Sequence, residues 1–207
     1  MEATETTPLR AVALVCTLAP SPAASSSELL ARQTLDALAE HGVTGKTIRI
    51  ADHDVKAGVK TDMGDGDAWP DIRETILGTD ILILATPIWL GHPSSVAQRV
   101  LERLDAEIGE SDDQDRMLTY GKVAAVCVVG NEDGAHKVSA DLFQGLNDVG
   151  FSLAPNAVTY WVGEAMQGTD YQDLDKTPEK TATTTRTLAA NTAHLARRLK
   201  RNNYPPA

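Results

Sequence analysis

The feature that most limits what this chain can fold into is its alternation of two kinds of apolar segment. Three short runs are apolar throughout: Ala11–Cys16, Ile81–Ala85 and Val123–Val129. Each is too short for a core helix, and together they are rich in branched aliphatic residues. Strands covered on both faces of a parallel sheet read this way. Lys46–Ala51 and Ala157–Val162 are weaker strand candidates, the second carrying Tyr160 and Trp161. Between the strands the apolar residues return with a helical period. Leu30, Thr34, Ala37 and Leu38 share a face from about Ser27 to Glu40, and Val96, Val100, Leu104 and Ile108 do so across Ser94–Ile108. Val138, Leu142, Leu146 and Val149 mark a further helix, and Leu188, Thr192, Leu195 and Leu199 the last. That one ends in Arg197-Arg198-Leu199-Lys200-Arg201, the charge sign favoured at a helix C-terminus. A short helix over about Trp69–Leu77 precedes the third strand. The order is β-α-β-α-β-α-β-α-β-α.

Right-handed crossovers in that order give an α/β protein with a three-layer doubly wound sheet, flavodoxin-like or Rossmann-like. The 207 residues suit one domain. The polar opening, Met1–Arg10, reads as a frayed tail, so the domain spans 11–201 with a C-terminal tail at 202–207. Asp52–Ala68, acidic and Gly-rich, and Gly163–Glu179 lack periodicity and are long loops, functional or loose. The net charge of −10 argues against a nucleic-acid partner. No apolar run approaches the roughly 18 residues of a membrane span, and no signal-like segment opens the chain. Cys16 and Cys127 each lie in an apolar run, as buried free thiols do, which excludes a disulfide framework or a cysteine-ligated cluster. The expectation is a cytoplasmic protein.

In an open parallel sheet ligands bind beyond the carboxyl ends of the strands. Three loops there carry the argument. Thr17–Ser27 leads into the first helix with Ser25, Ser26 and Ser27, and Ser25-x-x-Glu28 fits a capping box. Exposed N–H groups and hydroxyls at a helix start suit a phosphate, although an ordinary Ser cap has the same sequence. No glycine lies between Ala11 and Glu40, so the Gly-x-Gly-x-x-Gly dinucleotide fingerprint and the Gly-Lys-Ser/Thr P-loop are both absent. The strand ends Cys16-Thr17 and Ala85-Thr86 carry no carboxylates for a phosphoacceptor's Mg²⁺. A mononucleotide site remains.

The second loop, Thr86-Pro87-Ile88-Trp89-Leu90-Gly91-His92-Pro93-Ser94, is unusually apolar for a loop. It fits against a flat ring, against another subunit, or as core filler. The third, Gly130-Asn131-Glu132-Asp133-Gly134-Ala135-His136, has N–H groups that can meet the polar edge of a heterocycle, and is also an ordinary turn in composition.

Together the Ser25-Ser26-Ser27-x-x-Leu30 loop, the segment ATPIWLGHPSSVAQRVLERLD and the segment VVGNEDGAHKVSADLFQGLNDVGF resemble the flavodoxin-like NAD(P)H-dependent FMN reductases and quinone reductases. The resemblance runs from about Val12 to Leu199. It implies a five-stranded parallel sheet in the order 2-1-3-4-5, FMN as cofactor, and NADPH or NADH as co-substrate. It places the FMN phosphate on Ser25, Ser26 and Ser27, with Thr17 and Ser21 beside them. The ribityl chain and isoalloxazine fall along Thr86, Pro87, Ile88, Trp89, Leu90 and Gly91. The ring's polar edge falls at Gly130, Asn131, Glu132, Asp133 and Gly134. Many members carry a basic residue in the first loop; this chain has Ala-Pro-Ser-Pro there. The iron–sulfur branch is excluded for want of cysteines.

The chemistry implied is hydride transfer from NAD(P)H through the flavin to a quinone, a free flavin or a similar small electron acceptor. Trp89, His92, Tyr160, Trp161 and Tyr171 are candidate walls, and a homodimer or homotetramer is implied. His136 is a candidate proton donor, although a His in a first helical turn is commonly a surface residue. His41, His53 and His194 lack ligand spacing, and Asp62, Asp65 and Asp67 lack the closing Glu of a calcium loop, so no metal site is expected and Asp52–Ala68 reads as a solvated acidic loop. Two other readings stay open: an electron carrier that docks protein partners, and a non-catalytic protein with a degraded flavin site.

Overall fold

The computed structural model describes residues 8–165 and 167–206, so Met1–Thr7 of the expected N-terminal tail and the final Ala207 lie outside the described residues. The chain runs β1 (Leu9–Val15), α1 (Ser26–Ala39), β2 (Val43–Arg49), α2 (Trp69–Leu77), β3 (Ile81–Trp89), β4 (His92–Pro93), α3 (Ser95–Leu104), β5 (Val123–Gly130), α4 (Ala135–Asp148), β6 (Ser152–Val162) and α5 (Glu179–Arg201). The main sheet has the order β2-β1-β3-β5-β6, every neighbouring pair parallel. With β4 set aside this is the doubly wound order 2-1-3-4-5.

Alternation along the strands explains why their sequences are apolar without a break. Val12, Leu14, Leu82, Leu84, Val126 and Val128 point to one face, packed under α2, α3 and α4. Ala13, Val15, Ile81, Ile83, Val123 and Ala125 point to the other, under α1 and α5. Both faces are dry along residues 11–15, 81–85 and 123–129, so none of these has a solvent side to be polar on; Arg10 and Trp89, at strand ends, are exposed.

The structure departs from the sequence reading at several element ends. β1 begins at Leu9, which is 1% exposed, so two residues expected in the tail are strand. β6 begins at Ser152 rather than Ala157, because its first half carries Pro155 and Asn156 (φ 57°) at a register shift opposite Ala124–Val126. Proline and left-handed backbone belong at such irregularities on edge strands. α3 closes at Leu104 and passes into 3₁₀ turns over Asp105–Gly109, which leaves Ile108 half exposed instead of on the buried stripe. α5 extends well before Leu188 through Thr181 and Thr185, whose hydroxyls are buried and hydrogen-bonded.

The Asp52–Ala68 loop is a correction of substance. Asp67 and Arg103 are both fully buried and paired at 2.8 Å, with the Arg103 guanidinium over the Trp69 ring. Arg103 also donates to the Lys56 and Lys60 carbonyls, and Asp67 accepts from the N–H groups of Met63, Trp69 and Lys56. The loop is therefore folded around a buried ion pair, while Asp52, Asp54, Asp62 and Asp65 stay exposed to solvent as expected.

Candidate functional site

At the carboxyl edge of the sheet the three loops close around a cleft of about 670 Å³, within the usual size of a ligand site. A larger, more open hollow of about 980 Å³ lies by Phe151 and Ser152, at the opposite end of β6, between α4 and the Tyr204 segment. Doubly wound sheets place their ligands at the carboxyl edge, so the smaller cleft is the candidate.

Its floor is the start of α1. Ser25 is the N-cap, extended at φ −148° and ψ 117°, and its Oγ accepts from the Glu28 N–H at 3.3 Å. The N–H groups of Ser26 and Ser27 precede any intrahelical acceptor, so they and the serine hydroxyls form the donor set of a helix N-terminus. Thr17, Ser25, Ser26 and Ser27 all line the cleft. Ser21 does not: its N–H and hydroxyl are spent on the Asp52 carboxylate at 2.6 and 2.7 Å. The acid closest in sequence, Glu28, is held between Arg32 and Arg49. Partial burial pushes its carboxyl up, and the two guanidinium groups more than offset this, leaving it below the usual carboxylate range.

Arg49, the last residue of β2, escaped the sequence reading. Its guanidinium is almost fully buried and donates to the Ala23 carbonyl at 2.7 Å, to the Ala19 carbonyl at 3.4 Å and to Glu28. The one signal available was an arginine at the carboxyl end of a strand candidate, the edge where sites form.

The second loop is an extension of β3 followed by a two-residue hairpin into β4, not an irregular loop. Trp89 pairs with His92 across Leu90 (φ 52°) and Gly91 (φ 72°); two successive positive φ angles match the twist of a tight hairpin. Pro87, Ile88, Trp89 and Leu90 line the cleft. Thr86 lies behind them, fully buried, its Oγ accepting from the Ser94 N–H at 3.0 Å, while the Ser94 hydroxyl donates to the Cys16 carbonyl at 2.6 Å. Gly91 is likewise outside the wall; its N–H points to the Glu132 carboxylate at 3.4 Å.

Gly130, Asn131 and Glu132 of the third loop line the cleft, whereas Asp133 and Gly134 do not. Gly134 (φ 123°) brings the third loop against the hairpin: a Cβ there would lie 2.9 Å from Gly91 Cα. Asn131 donates to Asp170 at 2.7 Å, and its Oδ1 is buried with no partner among the described residues.

The fourth wall comes from the end of β6 and the segment after it. Trp161, Asp170, Tyr171 and Gln172 line the cleft. Tyr171 is 2% exposed, donates to Gln33 Oε1 at 2.6 Å, and stacks tilted on Trp161 at 5.5 Å. The Gln172 N–H donates to Ser26 Oγ at 3.2 Å. Tyr160 and His92 are not part of the wall. His136 is exposed, its Nε2 3.2 Å from the Tyr160 hydroxyl and its ring edge-to-face with Tyr160. Both cysteines are buried away from the cleft; burial pushes the Cys16 thiol far up and the Cys127 thiol to about 12, the Thr34 hydroxyl drawing the latter slightly back. Among the described residues no group of three or more His, Cys, Asp or Glu could hold a metal ion, and no helix is long and apolar enough to cross a membrane.

A phosphorylated ring compound fits these residues. The floor offers hydroxyl and N–H donors, with Glu28 behind it paired to two arginines, the hairpin and Trp161 give apolar area for a ring, and the third loop supplies polar groups at one edge.

Comparison with known proteins gives the same answer. A family model described as NADPH-dependent FMN reductase matches residues 10–167. The chain is 34% identical over 206 residues to the 8-demethyl-8-aminoriboflavin-5′-phosphate synthase of Streptomyces davaonensis, covering 95% of this chain and 80% of that protein. It is 35% identical over 199 residues to the divalent metal cation transporter MntH of Mycobacterium bovis, covering 93% of this chain and only 29% of that protein's length. Among solved structures, RosB with the bound intermediate 8-demethyl-8-formylriboflavin-5′-phosphate superposes with a TM-score of 0.85 at 34% identity, covering 95% of this chain and 82% of RosB. An archaeal flavodoxin, at 9% identity and a TM-score of 0.58 over 91% of this chain and 99% of the flavodoxin, shares the fold. The chain belongs to the NADPH-dependent FMN reductases, a family of flavin-dependent oxidoreductases.

Proposed function

We propose that the cleft binds FMN with its phosphate on Ser25, Ser26, Ser27 and Thr17 and its ring between Pro87–Leu90 and Trp161. In this reading the protein passes a hydride from NAD(P)H through the flavin to a quinone, a free flavin or a similar small acceptor. The observation that carries it is the convergence of a serine-rich helix N-terminus, an apolar hairpin and a polar third loop on one cleft. Bound FMN supplies the two-electron chemistry. The chain's own residues orient and shield. Ser26 and Ser27 N–H groups anchor the tail, Ile88 and Trp89 lie along the ring, and Gly130–Glu132 meet its polar edge, where N–H groups stabilise developing negative charge. Tyr171 and Trp161 keep water from that side. The rim residues Trp89, Leu90 and Leu18 stay exposed, which suits a second ring stacking there or, in a homodimer or homotetramer, a partner subunit. The carboxylate of Glu132 and the imidazole of His136 are not assigned to the reaction. A cytoplasmic location belongs to the same reading.

A second reading has specific support: the Streptomyces davaonensis relative is named for making an aminoriboflavin phosphate, so a flavin phosphate would be substrate rather than resident cofactor in the same cleft. One experiment separates these. Protein loaded with FMN is mixed anaerobically with NADPH or NADH, and the flavin absorbance is followed before and after adding a quinone. Rapid bleaching and reoxidation, with FMN of unchanged mass recovered, supports the reductase. A flavin product of altered mass, formed when the protein is incubated in air with FMN and an amine donor, supports the second reading, and unbleached colour with NADPH or NADH supports an electron carrier.

A further inference from the structure

We infer that Arg49, at the end of β2, is the positioning residue of the phosphate loop, standing in for the basic residue the loop itself lacks. This rests on the reading above that the loop holds the FMN phosphate.

A loop that turns its N–H groups toward an anion must turn carbonyls the other way, and those carbonyls need donors. In this loop the carbonyls of Ala19 and Ala23 both accept from Arg49 Nη1. The other arm of the same guanidinium holds Glu28, the residue whose N–H is capped by Ser25 Oγ. One planar group thus grips the loop near its beginning, near its end and on the first turn of α1. The fixed fork of arginine is suited to this; a lysine ammonium reaches these three acceptors only with difficulty.

Stability alone gives no reason for an arginine here. Its side chain is 6% exposed and its Nε is buried with no partner among the described residues. Burying a charge and leaving one donor unpaired both work against folding. The paired Glu28 charge cancels most of the guanidinium's field, so Arg49 acts by orienting donors rather than by attracting phosphate at a distance. Replacing it should therefore harm the ligand's phosphate end and spare its ring end.

The test compares FMN with riboflavin, which differs only by the phosphate. Dissociation constants are measured for both by fluorescence titration on wild type, Arg49→Met and Arg49→Lys, with folding checked by circular dichroism. Arg49→Met is expected to weaken FMN by about tenfold or more, the scale of losing charge-assisted bonds, with riboflavin unchanged within about twofold. Arg49→Lys should fall between. If Arg49→Met does not fold, Arg49→Lys carries the comparison. Equal weakening of both ligands, or no weakening of FMN, in the Arg49 variants while wild type prefers FMN to riboflavin overturns the role of Arg49 and leaves the phosphate reading intact. If wild type binds riboflavin as tightly as FMN, the phosphate reading fails, and the role of Arg49 falls with it.

Discussion

Gly134 and Asp67 show how much a single side chain decides in this molecule. Any residue larger than glycine at 134 would strain a φ of 123° and drive a Cβ into Gly91 Cα. Gly134→Ala should cost about 1–3 kcal/mol and loosen flavin binding by parting the second and third loops; thermal melting and FMN titration check both. Asp67 is buried, which by itself raises its carboxyl, but the Met63 N–H, the Arg103 guanidinium and two further N–H groups draw it down to about 2. Its folded value is thus below the unfolded one of about 3.9, so the stability it contributes is present above pH 4 and is lost as pH falls toward 2. Asp67→Asn strands the Arg103 charge and should cost about 3–5 kcal/mol at pH 7. The gap in melting temperature between variant and wild type should narrow from pH 4 to pH 2.

Among the elements, the β3–β4 hairpin is the most informative. Leu90 is 89% exposed and held at φ 52°, a conformation that costs a leucine about 1–2 kcal/mol and suits asparagine better. Leu90→Asn should raise stability by about 1 kcal/mol, since Asn-Gly is the preferred pair for this turn. Chemical denaturation measures the gain, and the rate of flavin reduction tests whether the strained leucine serves the cleft. The hairpin also marks where sequence stops being legible. Ile81–Ala85 declares itself a strand because both faces are buried, but Thr86-Pro87, inside β3, breaks the apolar run, and a two-residue β4 has no period to detect. The start of β6 was hidden for a related reason, its Pro155 and bulge. α2 and α1 were legible nearly to the residue, because their buried stripes are clean. In the site, the serines, Trp89 and Asn131 could be read from loop position, whereas Arg49, which braces the first loop from behind, and Gln172, which lines the cleft, could not: only the fold reveals their neighbours.

For the whole molecule, two buried layers on a five-strand parallel sheet leave Cys16 and Cys127 without a path to solvent, and burial raises both thiols. Alkylating reagents should label neither at neutral pH in the folded protein and both after denaturation, as mass spectrometry would count. The charge of −10 and the exposed apolar rim of Trp89, Leu90, Tyr160 and Val162 act in opposite senses on association. The short segment from Asp170 to Gln172 reaches back to Ser26, Gln33 and Asn131, joining the earliest-made wall to later ones. During synthesis, a chain that has emerged only through α4 presents serines, hairpin and third loop without the piece that latches them together, so the vitamin-derived guest should be captured late, once the stretch beyond β6 has left the ribosome.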